Sequence, residues 1–455
     1  MRNRVLWRSL VVAGLMLGFA SAATLAQTRA PARSARSRSL PRGSFGENVE
    51  VIGYTDVGGH IPFKLSIQEV NGRWLMYSAS LYDRGWSVID VTNPADPTVL
   101  NWVPGPPNTF TVQIDIADKK MITPLERSQF GGDTDHTKNN WEEGFYIWSL
   151  EDPVHPKRLG QYKTGGLGTH RDGYQGGRYV HVAAAARGYT GNIYEIVDIS
   201  DPANPIEVGR WAPPELRLPD PDMQNQAFPH GAGLHGAPVV VDNLVYLPFG
   251  KFFAILDISD VRHPKEVSRV TFDPPYDMGL AVHTVLPFPR RKIVETNSEP
   301  FGGCDINSPS QVTLIDVANP AKPHILSFLP APQTPPGAPY KNFCERGSFG
   351  AHNVNQLFHN PYVDDSDNIL YLTYFTAGLR IYDIADARQP REIGYFIPPD
   401  PARLGQGVPA GRRPVTTAAD VLVDKRGYIY LSDSAQGLFI LRYTGPKPGP
   451  SIPVH

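Results

Sequence analysis

VIDVTNPADP, Val88–Pro97, is the stretch on which the fold turns, because the same phrase returns five more times along the chain. An apolar run leads into an Asp or a substitute for it, and a turn follows that a proline closes. The other copies are IWSLEDPVHP ending at Pro156, IVDISDPANP at Pro205, ILDISDVRHP at Pro264, LIDVANPAKP at Pro323 and IYDIADARQP at Pro390. The closing prolines lie 59, 49, 59, 59 and 67 residues apart. A period this long, with no helical phrase inside it, points to a radial β-repeat.

Each repeat parses into four strands, most plainly in the fourth. Leu234–Val241 is apolar enough for a buried inner strand, and Asp242-Asn243 supplies a turn. Leu244–Phe249, Phe252–Ile258 and Lys265–Phe272 follow as the second, third and outer strands. The phrase itself has a mechanical reading. Asp and Asn accept hydrogen bonds from backbone two residues on, and Pro pre-sets φ where the chain reverses. Residues 416–443 supply three more strands without a closing phrase, so seven inner strands are expected. The missing outer strand is available near the other end of the chain, where Asn48–Val57 reads NVEVIGYTDV, much like EVGRW and EIGYF. The expectation is an all-β, seven-bladed β-propeller over residues 48–443, closed by pairing of its N- and C-terminal strands, with 444–455 as a tail. Closure of that kind removes free sheet edges.

Composition suits this. The hydrophobic fraction of 41% can bury a large core, while 42 Gly and 45 Pro serve many turns and argue against a helical bundle. Residues 1–22 have a basic start, an apolar stretch from Leu10 to Phe19 and an Ala20-Ser21-Ala22 cleavage site, which reads as a signal peptide for export to the periplasm or outside. The apolar run is short for a membrane span, so no transmembrane segment is expected after cleavage. Residues 23–47 read as a disordered linker rich in Arg, Ser and Pro. Without Arg2, Arg4 and Arg8 the chain carries a net charge of −5, and nothing suggests nucleic acid as a partner. A closed ring needs no partner for stability, so a monomer is the default.

The third strands (WSVIDV, YEIVDIS, FAILDIS, VTLIDV, LRIYDI) resemble the LVIVD-repeat proteins of bacterial exported and surface proteins, over roughly residues 48–443. The resemblance implies the fold and says little about activity, because one propeller hosts many functions.

The two cysteines fit export. Cys304 lies after the second strand of the fifth repeat and Cys344 in the loop entering the sixth, two connections that open on one face of a propeller. A Cys304–Cys344 disulfide is expected.

Histidines carry the candidate chemistry. His170, His235, His283 and His352 each stand at the start of an inner strand in four successive repeats, 65, 48 and 69 residues apart. Inner strands line the central channel, so the four imidazoles should converge there. Neutral imidazoles suit a divalent transition metal, with iron(II) foremost and copper or zinc as alternatives. The set resembles that of the carotenoid cleavage oxygenases, whose propeller holds a ferrous iron with four histidines, and more weakly the copper-dependent methanethiol oxidases of the selenium-binding protein group. Both resemblances imply oxidation of a small organic substrate, with His170, His235, His283 and His352 as ligands.

Asp172 follows His170 by two and should share its face of the strand, and Glu295 on the second strand of the fifth repeat could take the spare N–H of a ligand histidine. These two are the candidate orienting or catalytic carboxylates. Lys64, Gln68, Gln113, Asp115 and Asp420 should line the other side of the channel, leaving room for substrate and proton transfer. Two insertions are expected as a roof: Phe130–Glu143, with Asp133, Asp135 and His136, and Pro213–Gly233, with His230. No G-x-S-x-G, P-loop, G-x-G-x-x-G after a strand or C-x-x-C occurs. Three readings follow: an exported metal-dependent oxygenase or oxidase, a non-catalytic surface propeller binding protein or glycan, and a metal-free lyase or hydrolase using the channel histidines.

Overall fold

The computed structural model describes residues 40–127, 140–223, 233–272, 280–300, 304, 310–409 and 411–454, all within a unit delimited as Arg38–His455. The expected signal peptide, most of the expected linker, His230 and the Asp133, Asp135 and His136 of the first insertion lie outside these residues.

The described chain is all-β, and its strands form five sheets of four strands and one of nine, every pairing antiparallel. The nine-stranded sheet holds the second and third repeats, joined where Gly168 pairs with Glu126. In the fourth repeat Val239–Val241, Leu244–Phe249, Phe252–Asp257 and Lys265–Thr271 stand side by side in chain order. Its first strand is shorter than expected. Leu234 makes a single bridge to Phe249, and Pro238, which has no N–H to donate, interrupts the ladder before Val239.

The repeated phrase encodes two successive side-chain turns. Its first carboxylate accepts from the backbone two residues on at Asp90, Asp198, Asp257, Asp316 and Asp383, over 2.8–2.9 Å, with Ser149 as the substitute in the second repeat. Three residues later Asn93, Asp152, Asp201, Asp260, Asn319 and Asp386 do the same, over 2.9–3.3 Å. Each turn is therefore fixed locally, which explains its recurrence with little variation.

The turn also joins neighbouring repeats. An added Cβ on Gly160 or Gly209, in the outer strands of the second and third repeats, would meet the carbonyl of Pro202 or Val261 in the next repeat's turn at 1.9 Å. Where the outer strand carries a polar residue instead, it bonds the same turn: Ser268 to the Pro320 carbonyl and Ser327 to that of Ala387, the equivalent positions, and Asn101 to the Val154 carbonyl, one residue further on. Apolar clusters fill the space between sheets, for example Tyr246, Phe253 and Ile255 of the fourth repeat against Val282, Val285 and Val294 of the fifth.

The two ends of the described chain meet. Val49–Thr55 pairs with Gly437–Tyr443, with Val49 opposite Tyr443 and Thr55 opposite Leu438. Gly53 packs on Pro94 of the first repeat, where a Cβ would lie 2.1 Å from the carbonyl. Leu65, Ile67 and Met76 of the first repeat share a cluster with Leu422, Tyr430 and Ile440 of the last.

Two local features differ from expectation. Phe45–Glu47, inside the stretch read as linker, forms a strand against Tyr395–Ile397; Leu40 and Phe45 pack against apolar clusters and give this segment burial that its polar composition concealed. The inner strand of the sixth repeat is reduced to one bridge between Val354 and Leu372. There Asn355 accepts from the Val423 backbone and Gln356 donates to the Val285 carbonyl, both in neighbouring strands, an alternative to a regular ladder. Cys304 and Cys344 form the expected disulfide, with Cα atoms 5.3 Å apart. Among the described residues no helix is long and apolar enough to cross a membrane.

Candidate metal centre

Four inner strands share one irregularity, and it lies at the site. The register shifts between Pro62 and Leu65, between Thr169 and Asp172, between Leu280 and Thr284, and between Ala418 and Asp420. A bulge of this kind breaks the two-residue alternation and re-aims side chains. Lys64, His170 with Arg171, His283, and Ala419 stand inside these shifts.

The four histidines come together in a row. Ring centroids are 4.5 Å apart for His170 and His235, 4.7 Å for His235 and His283, and 4.6 Å for His283 and His352. All four are buried. Glu299, at the end of the Ile293–Glu299 strand, faces three of them, with Oε2 3.4 Å from the Nε2 atoms of His235 and His283 and Oε1 3.6 Å from that of His352.

The opposite ring nitrogens are held by acceptors. His170 Nδ1 lies 2.7 Å from Glu126 Oε2. His352 Nδ1 donates to the Ala419 carbonyl at 2.5 Å. His283 Nδ1 meets Thr284 Oγ1 at 2.6 Å, and that hydroxyl itself donates to the His352 carbonyl. A carbonyl only accepts, so the proton of His352 sits on Nδ1, and the chain of donors places that of His283 there as well. Their Nε2 lone pairs then point at the Glu299 carboxylate. Burial, with Arg171 adding to it, holds His170 and His352 well below the usual histidine range, and burial with the neighbouring His352 and Arg171 does the same to His283. Burial pushes the Glu299 carboxyl up to about 7, against the pull of Arg171.

The two carboxylates expected to orient the ligands stand elsewhere. Asp172 shares its Oδ2 with the Thr169 hydroxyl at 3.2 Å, because the shift between Thr169 and Asp172 cancels the alternation that would have placed it beside His170. Burial raises its carboxyl well above the usual range. Glu295 is on the expected strand and buried, with neither oxygen hydrogen-bonded, and burial raises it well above the usual range as well. Glu299, four residues on and on the same face of the strand, is the carboxylate that reaches the histidines. Lys64 pairs with Asp420 at 3.0 Å, while Gln68 bonds the Tyr77 hydroxyl and Asp115 faces His359 at 3.5 Å. Gln113 donates to the Asp172 carbonyl.

Glu126, Glu299, Arg171 and Asn353 escaped the sequence reading. Glu126 and Glu299 do carry a signal: they stand next to last and last in the second strands of their repeats, just before segments 128–139 and 301–309, where Glu126 pairs with Gly168 of the following repeat and Glu299 faces His352 of the following one. Arg171 has none, since only the bulge turns it toward the histidines.

The LVIVD repeat model matches residues 177–212 and 239–271. These spans cover the three outer strands of the third repeat and all four of the fourth. Among solved structures the chain is similar to a functionally unknown protein from Desulfotomaculum acetoxidans DSM 771, at 11% identity over 74% of this chain and 84% of that one, with a TM-score of 0.44. No curated protein matches the chain.

Proposed function

We propose that this chain is an exported seven-bladed propeller that holds a divalent transition metal, iron(II) foremost, through His170, His235, His283 and His352, and oxidises a small organic substrate there. The ring reading is supported by apolar clusters shared between successive repeats and between the last and the first, together with the Val49–Thr55 pairing to the final repeat. The disulfide favours an oxidising compartment, periplasmic or secreted.

The observation that carries the metal is the direction of the imidazoles. Lone pairs on His283 and His352 and a carboxylate meet at 3.4–3.6 Å, an arrangement that calls for a cation or a proton between them. His235, His283 and Glu299 offer three ligand atoms within 4.8 Å of one another. The donor set fits: neutral nitrogen ligands suit iron, copper, nickel and zinc. The anchored Nδ1 atoms fit too, since a metal-bound histidine usually gives its other N–H to a carboxylate or carbonyl. Glu126 would play that part for His170, Thr284 for His283 and the Ala419 carbonyl for His352.

A metal so held supplies coordination positions for dioxygen and a redox centre. The chain's own residues do the rest: Glu126 holds the His170 ring and its proton at Nδ1, Glu299 sits within reach of three ligands as a proton carrier, and Phe63, Phe110 and Phe375 border the histidines and exclude water. Elemental analysis after purification in metal-sparing buffer is the test. One transition metal per chain is expected, and His235→Ala should lower metal content and melting temperature together, because a metal bound only by the folded state stabilises it. His324→Ala, at an exposed site beside Asp316, should alter neither. A wild type whose melting ignores chelator and added Fe(II), Cu(II) or Zn(II) ends the metal reading.

A further inference from the structure

Arg171 is the part of this cluster that metal ligation does not use. Its side chain is 4% exposed, yet its contacts are neutral and long. Nη1 donates to Asn353 Oδ1 at 3.4 Å and Nη2 to His283 Nε2 at 3.4 Å, and the guanidinium lies 5.5 Å over the Phe63 ring. Its buried Nε has no hydrogen-bond partner. Other buried cations among the described residues are paired, such as Lys64 with Asp420 at 3.0 Å and Arg380 with Glu392 at 3.2 Å. Arg171 makes no ion pair with any described carboxylate. A guanidinium keeps its charge in proteins, and a buried charge left without a partner is strongly unfavourable.

We propose that Arg171 anchors an oxyanion of the substrate, a carboxylate, so that the substrate is an organic acid whose apolar, aromatic body lies against Phe63, Phe110 and Phe375. The inference rests on the metal reading for its setting and deepens it. A metal at the histidines would put a second positive charge beside the guanidinium, and an anion between the two removes that repulsion. The fork of Nε and Nη matches the two oxygens of a carboxylate, which a point charge would not. The body is assigned from the rings that border the histidines: Phe63 and Phe375 lie 5.5 and 4.6 Å from His352, and Phe110 lies 6.2 Å from His170, centroid to centroid.

The test is a thermal-melt titration of the full chain, metal-free and metal-loaded, with benzoate and its neutral analogue benzamide as probes. Benzoate should raise the melting temperature saturably and benzamide should not. Arg171→Met should weaken benzoate about 10- to 100-fold, the range for losing a hydrogen bond to a charged group. Arg171→Lys keeps the charge but not the fork and should fall between; it carries the test alone if the Met variant fails to fold. Equal responses to benzoate and benzamide, no response in either metal state, or wild-type affinity in Arg171→Lys overturns the anchor. Metal content is measured on the same samples. Benzoate binding through Arg171 in a protein that takes up no metal would remove the metal reading and keep the anchor, and a metalloprotein indifferent to benzoate would do the reverse.

Discussion

Glu126→Gln separates a metal centre from a row of structural histidines. The wild-type carboxylate holds His170 Nδ1 at 2.7 Å, with both side chains buried. Gln keeps the size and an acceptor oxygen but removes the charge, which is worth about half the strength of such a bond. Replacing the outer partner of a ligand histidine usually costs about 10- to 100-fold in metal affinity, or about 1.4–2.7 kcal/mol. With free metal at 100 times the wild-type Kd, the stabilisation by metal is about 2.7 kcal/mol, and in the variant it should fall to between about 0.4 and 1.4 kcal/mol. In the metal-free form that loss does not arise. Glu126 helps to raise the neighbouring Asp172, so removing its charge should leave stability unchanged or slightly higher. The assay is chelator competition for affinity, alongside urea unfolding with and without metal. Metal affinity within threefold of wild type, or equal destabilisation with and without metal, would refute the argument that Glu126 acts through His170 on a metal.

Three further outcomes are expected. Gly53→Ala should destabilise by about 1–3 kcal/mol or more, because its Cβ would lie 2.1 Å from the Pro94 carbonyl; Gly449→Ala, where nothing lies within 4 Å, should be neutral, and equal urea midpoints for the two would show that the N-terminal strand does not sit where described. Burial lowers His181 to about 4, below its unfolded value of about 6.5. The unfolded chain therefore takes up this proton first, and stability present above pH ~6.5 is lost as pH falls toward ~4, by up to about 3 kcal/mol. His181→Phe should flatten that limb in pH-dependent unfolding, whereas an unchanged slope would assign the loss to other groups. Reduction of the disulfide, which closes a separation of 40 residues, should cost up to about 4 kcal/mol, and the unreduced denatured protein should show no reactive thiol.

What the sequence made legible is whatever local chemistry repeats. Asn93 and its five counterparts fix the same turn wherever they occur, so periodic Asp and Pro disclose the repeat without any tertiary knowledge. The glycine of VIGYT, EVGRW and EIGYF marks an outer strand; at Gly53 and Gly209 it is needed by a close approach to the next repeat's turn. The histidines were legible for a related reason, recurring once in each of four successive repeats at about the repeat spacing, although only His170 and His283 lie within a strand. Asp172 was misplaced because alternation assumes a regular ladder, and the register shift after Thr169 is not written in any single residue. Glu299 was missed by four residues on the correct strand, since depth along a strand depends on where its loop begins. Phe45–Glu47 was hidden by the arginines and serines around it, although Leu40 and Phe45 give it something to bury.

The repeats that lack the histidine explain the division of labour at the centre. The first places Phe63 and Lys64 there, the second Phe110 and Gln113, and the last Ala419 and Asp420. Lys64 is neutralised by Asp420, which also accepts from the Leu65 backbone at 2.9 Å, so this side contributes rings and a closed ion pair and no spare ligand for a metal. The opposite side contributes imidazoles and Glu299. Arg171 sits between, on a bulge of a histidine-bearing strand but facing Phe63 and Asn353. Asp420, Glu299 and Glu126 all pull on its charge without touching it. On the proposed reading the two sides call for different partners: the lone pairs for a cation, and the guanidinium at the join, with its Nε unpartnered, for an oxyanion whose apolar body meets the rings.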